Sequence, residues 1–123
     1  TNINDYNKIK ILILTKELEK YLINNRKKHQ KILIANNLFE VPIKLKSLSS
    51  KFGSYNYNAR EEYIVLNIYL ATLKEEYANY VLFHEYAHQK VKNHQKEFYD
   101  LLKKLVKNYQ IYQKGLRKKT LNF

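Results

Sequence analysis

Residues 84–94 read His84-Glu85-Tyr86-Ala87-His88-Gln89-Lys90-Val91-Lys92-Asn93-His94. The first five form the pattern H-E-x-x-H at the end of an apolar run, Tyr77, Ala78, Tyr80, Val81, Leu82 and Phe83. That run is apolar nearly all round, as a buried central helix requires. On a helix, residues four apart lie one turn apart on the same face, so the imidazoles of His84 and His88 converge on one ion. Glu85 sits one residue from His84, turned from the pair but beside the metal, where it can take a proton from an attacking water.

Two histidines leave a catalytic zinc site one protein ligand short. His94 is the third candidate. It lies too far along an unbroken helix to meet the other two, so the helix must end between them. Lys92-Asn93 is the expected place, because Asn tolerates capping and left-handed conformations. With four His and nine Glu in the chain, chance would place H-E-x-x-H in about one such sequence in a hundred. The spacing through His94 also matches the metzincins, but these carry Gly where this chain has Val91, and a Met beneath the metal; this chain has no Met.

Outward from this stretch, a capping box is expected at Thr72-Leu73-Lys74-Glu75, starting the central helix at Thr72. A last helix is expected over residues 95–109, with a stripe of Phe98, Leu102, Leu105 and Tyr109. Before the central helix, alternation around Ile43 and Leu45, the segment Phe52-Gly53-Ser54-Tyr55 with Tyr57, and the apolar residues 63–68 suggest three strands of a small antiparallel sheet. Residues 5–37 look mainly helical, as two helices or one long one, with a stop at Asn36-Asn37. Residues 9–14 also suit a short strand.

The 123 residues fit one domain. Its expected parts are a helical region (1–37), the sheet (38–71), the catalytic helices (72–112) and a basic tail (113–123). The absence of cysteine removes thiolate chemistry and cysteine-ligated zinc. No apolar run is long enough to cross a bilayer, and no secretory leader is evident, although one removed before Thr1 stays open. The expected location is the cytoplasm. The net charge of +12 has two readings: attraction to nucleic acid or another acidic partner, or the Lys- and Asn-rich codon usage of an AT-rich genome. The second is preferred because the basic residues are spread along the chain.

Phe52-Gly53-Ser54, Val65-Leu66-Asn67, the H-E-x-x-H segment, Asn93-His94 and Phe98 together resemble the YgjP-like and SprT-like metallopeptidases, over residues 50–116. The resemblance implies a zincin-like α+β fold, one catalytic zinc ion (Zn2+) and a peptide or protein substrate. It implies His84, His88 and His94 as ligands and Glu85 as general base. The SprT-like branch includes proteases that act on DNA-bound proteins, so an alternative function that the resemblance implies is a basic nucleic-acid-associated domain with proteolysis secondary.

Other residues are weighed against ordinary packing. Tyr55, Tyr80 and Tyr99 are each candidates to stabilise an oxyanion, but packing is the better reading for any one of twelve tyrosines. Asp100 is a candidate to orient a ligand histidine. His29, among Lys27, Lys28 and Lys31, is expected on a solvated helix face, and Asn67 in a structural role at the end of its strand.

Overall fold

The computed structural model describes residues 3–119. Two helices come first, α1 (Ile3–Asn24) and α2 (Arg26–Ala35). Asn25 separates them, its side-chain amide donating to Tyr21 O at 2.9 Å. The stop at Asn36-Asn37 is a left-handed cap. Asn37 has φ 58°, Asn37 N donates to Ile34 O, and Leu38 N reaches back to Leu33 O at 2.8 Å. Leu33 and Leu38 are both buried, which adds the apolar contact usual in this motif. Residues 9–14 are helical, inside α1.

The strands are β1 (Ile43–Lys46), β2 (Gly53–Tyr57) and β3 (Glu62–Asn67), in the spatial order β1-β3-β2. The sheet is therefore mixed, not wholly antiparallel. β3 inserts between its predecessors, parallel to β1 with Ile43 opposite Ile64, and antiparallel to β2 with Gly53 opposite Leu66. Residues 64–67, buried throughout, explain the choice: Ile64, Val65 and Leu66 give the strand best suited to the covered centre.

The crossover from β1 to β2 is held by Asn67. Its buried amide donates to Leu48 O at 3.1 Å and Lys51 O at 2.9 Å, while its Oδ1 accepts from Tyr69 N. One side chain thus ends β3, pins residues 48–51 and opens a short 3-10 helix, Ile68–Thr72.

The expected capping box does not form. Thr72 closes the 3-10 helix, its hydroxyl donating to Tyr69 O at 2.7 Å, and α3 (Glu75–Ala87) begins after Lys74. Glu75 and Glu76 lie in its first turn, where carboxylates favour the helix dipole. α3 is the central helix, with Ala78, Val81, Leu82, Phe83, Tyr86 and Ala87 at most 3% exposed. The expected last helix is two, α4 (Lys96–Leu105) and α5 (Tyr109–Lys119). Most of the expected basic tail is thus helical, and Leu116 of α5 is buried in the core. Residues 120–123 lie outside the described part. Among the described residues no helix is long and apolar enough to cross a membrane.

Candidate metal centre

α3 carries His84 and His88 on the face that meets α4. The helix unwinds at His88, earlier than Asn93, through short turns in which His88 N donates to Glu85 O and Gln89 N to Tyr86 O. This end is anchored from the side. Gln89 exchanges two 2.9 Å hydrogen bonds with the backbone of Phe39, and the Tyr86 hydroxyl accepts from Val41 N at 3.2 Å. The chain then turns back and delivers His94 just before α4.

The three imidazoles meet. Their centroids are 4.8–5.3 Å apart, and one ring nitrogen from each can be chosen so that all three lie within 4.8 Å of one another. His88 Nε2 and His94 Nε2 are 3.0 Å apart, near the roughly 3.3 Å between two nitrogen ligands on one tetrahedral ion. Fully buried Phe98 forms the floor, its ring 4.6–5.0 Å from each imidazole.

The outer nitrogens fix the ring orientations. His88 Nδ1 lies 3.1 Å from Val91 O, so it carries the proton and leaves the Nε2 lone pair facing His94. His84 Nδ1 lies 3.5 Å from the Tyr80 hydroxyl. Asp100 is exposed on α4, and the orienting positions at His84 and His88 belong instead to Tyr80 and Val91. Burial, and then the neighbouring His88 and His94, push His84 down to about 4. Burial also lowers His88. Both rings are neutral at pH 7, the form that binds a metal. Three imidazoles with an open side suit zinc and leave a position for a fourth ligand.

Glu85 is 7% exposed and faces β2 rather than the histidine cluster's floor. Burial pushes its carboxyl up to about 7, with Lys51 pulling the other way. Gly53 makes this approach of strand to helix feasible. A Cβ there would lie 2.9 Å from Val81 Cγ1, 3.0 Å from Val65 O and 3.4 Å from Glu85 Cγ. A side chain at Gly53 would thus wedge β2 away from Glu85.

A cavity of about 430 Å³ opens over the cluster, walled by β2 and by Lys51, Glu85, Lys92 and the three histidines. Lys51, Tyr57 and Lys92 carry no sequence signal that marks them as site residues; only the fold brings them here. Of the three tyrosine candidates, Tyr55 lines the cavity but is committed to Glu62 and Gln89 at 3.1 Å each. Tyr80 supports His84, and Tyr99 stacks on Tyr109.

A family model described as YgjP-like, metallopeptidase domain, matches residues 2–119. The chain belongs to the YgjP-like metallopeptidase family. The match takes in the N-terminal helices, beyond the 50–116 stretch that carried the resemblance in sequence. Membership makes this YgjP-like chain a metal-dependent peptidase. Two solved structures share its α+β fold. The metallopeptidase zymogen jannalysin of Methanocaldococcus jannaschii is 24% identical, with TM-score 0.59, over 76% of this chain and 94% of that one. The metallopeptidase zymogen abylysin of Pyrococcus abyssi is 21% identical, with TM-score 0.61, over 82% and 92%. Comparison with curated proteins gives no match.

Proposed function

We propose that this is a zinc peptidase in which His84, His88 and His94 hold one zinc ion and Glu85 is the general base. The observation that carries the proposal is the convergence of three histidines, ligand nitrogens within 4.8 Å, beside a nearly buried carboxylate. A zinc ion held there supplies Lewis acidity toward a carbonyl oxygen and brings water toward ionisation near neutral pH.

The chain's own groups do the rest. Glu85 accepts the proton of the attacking water and returns it to the leaving amine. Tyr80 and the Val91 carbonyl hold the ligand rings in place. β3, flanked by β1 and β2, has no open edge for a substrate, whereas β2 is an edge strand walling the cavity. An extended peptide laid along β2 pairs with its free backbone groups and passes over the histidines.

The test is peptide hydrolysis with and without a chelator, in the wild type and in Glu85→Gln. Loss with chelator, recovery with zinc, and a zinc-loaded but inactive Glu85→Gln support the proposal. Undiminished hydrolysis in Glu85→Gln would remove the base. The +12 charge supports a second reading, a nucleic-acid-associated domain acting near DNA. Steeply salt-dependent DNA binding supports it, and no binding at low salt removes it.

A further inference from the structure

The cleft over the histidines has a one-sided charge. Two cavities meet at Gly53, His84 and Glu85. Lys51 lines both. One extends along Tyr57 to Lys92; the other extends beneath α5 to Arg117. Among the described residues lining the two, Glu85 is the sole acid, and it is nearly buried.

The cations have specific settings within the +12 surface. Lys92 Nζ stands 4.7 Å from the centre of the Tyr57 ring at the cavity wall. Lys51 comes from the loop whose carbonyl is tied to Asn67, so its backbone is fixed beside Glu85. Arg117 lines the second cavity together with Tyr80 and His84. A peptide crossing the histidines therefore meets a cation on each side of Glu85 and, among the described residues of the walls, no exposed carboxylate. Like charges on a substrate would be repelled and carboxylates attracted, an arrangement that discriminates between substrates rather than merely binding them.

We propose that the cleft selects peptide segments with acidic side chains on both sides of the scissile bond. Lys92 receives a carboxylate in one cavity, Arg117 receives one in the other, and Lys51 serves the centre. This rests on the peptidase reading above and adds its substrate class.

The test uses two fluorescent decapeptides, identical except that Glu in one is Gln in the other. Binding to the zinc-loaded Glu85→Gln chain is read by fluorescence anisotropy. The expected result is about tenfold tighter binding of the Glu peptide. That preference is lost in the Lys92→Glu/Arg117→Glu pair and reduced in the milder Lys92→Gln/Arg117→Gln pair. It is kept in Lys27→Glu/Lys31→Glu, which makes the same charge change on the exposed face of α2. Equal affinity for both peptides overturns the proposal. So does equal loss in the α2 pair, because the preference would then come from net charge alone. A single-stranded oligonucleotide that binds more tightly than the Glu peptide, with the same dependence on Lys92 and Arg117, overturns it in favour of nucleic acid. Hydrolysis by the wild type separates the two levels. Equal cleavage of both peptides overturns the selectivity and keeps the peptidase, whereas cleavage of neither by the zinc-loaded chain overturns both.

Discussion

Four histidines divide into two settings. His84, His88 and His94 turn ring nitrogens toward one another over Phe98, beneath an open cavity. His29, on α2, is 6% exposed and packs edge-on to Phe83 at 5.3 Å, its Nε2 3.3 Å from the Tyr21 hydroxyl. The Tyr21 hydroxyl in turn donates to Asn79. His29 is thus satisfied by protein, as buried polar groups usually are. In the other group, His88 and His94 have only each other at 3.0 Å along their facing nitrogens. A histidine on its own is a packing residue here; three whose lone pairs converge ask for a cation.

The largest expected effect lies in the triad. His84→Ala or His88→Ala removes a proposed ligand and takes peptide hydrolysis below measurable levels, since even the loss of a group that only orients a ligand costs about 10- to 100-fold. Metal analysis of each variant beside its activity checks this. Glu85→Gln comes next, with a loss of about 10²- to 10⁴-fold while zinc content stays that of the wild type. A parallel loss of zinc would mean that Glu85 holds the site together instead of moving protons.

His29→Ala is the counterpart. It opens a cavity and takes from the Tyr21 hydroxyl one of its two partners, leaving only Asn79, so unfolding free energy falls by about 2–3 kcal/mol while zinc stoichiometry is unchanged. Denaturant melts check the first part and metal analysis the second.

The smallest effect is on pH dependence. Burial holds His29 below its ordinary value of 6.5. As pH falls below about 6.5, the unfolded chain takes up a proton that folded His29 resists, so stability drops with acid and returns above that value. His84 and His88 contribute in the same direction. His29→Phe should therefore flatten, without abolishing, the fall in melting temperature below pH 6.5. An unchanged slope would show that His29 is not the buried neutral group described here.

The clustering of the three histidines was legible because its signal is local: helix geometry alone aims His84 and His88 at one point, and His94 needed only a break in the helix. The place of that break was not legible. Gln89 and Tyr86 fix the end of α3 by bonding to Phe39 and Val41, some 45–50 residues earlier in the chain. Asn36-Asn37 was readable because a left-handed Asn cap is short-range, whereas Thr72 to Glu75 had the letters of a capping box and formed a different turn. The sheet order escaped for a related reason. Alternation shows a strand's faces but not its neighbours, and it is the burial of Ile64, Val65 and Leu66 that puts β3 in the centre. His29 is buried and not on a solvated face, because its lysine neighbours in sequence are not its neighbours in space. Lys51, Lys92 and Arg117 come from a loop, a turn and α5, and only the fold assembles them around Glu85.

Zinc titration of the purified, chelator-stripped chain tests the central claim most directly. One equivalent should bind tightly to the wild type and to Glu85→Gln, and none to the His84→Ala/His88→Ala pair. Uptake by that pair equal to the wild type, or none by the wild type, would contradict a zinc centre built from His84, His88 and His94.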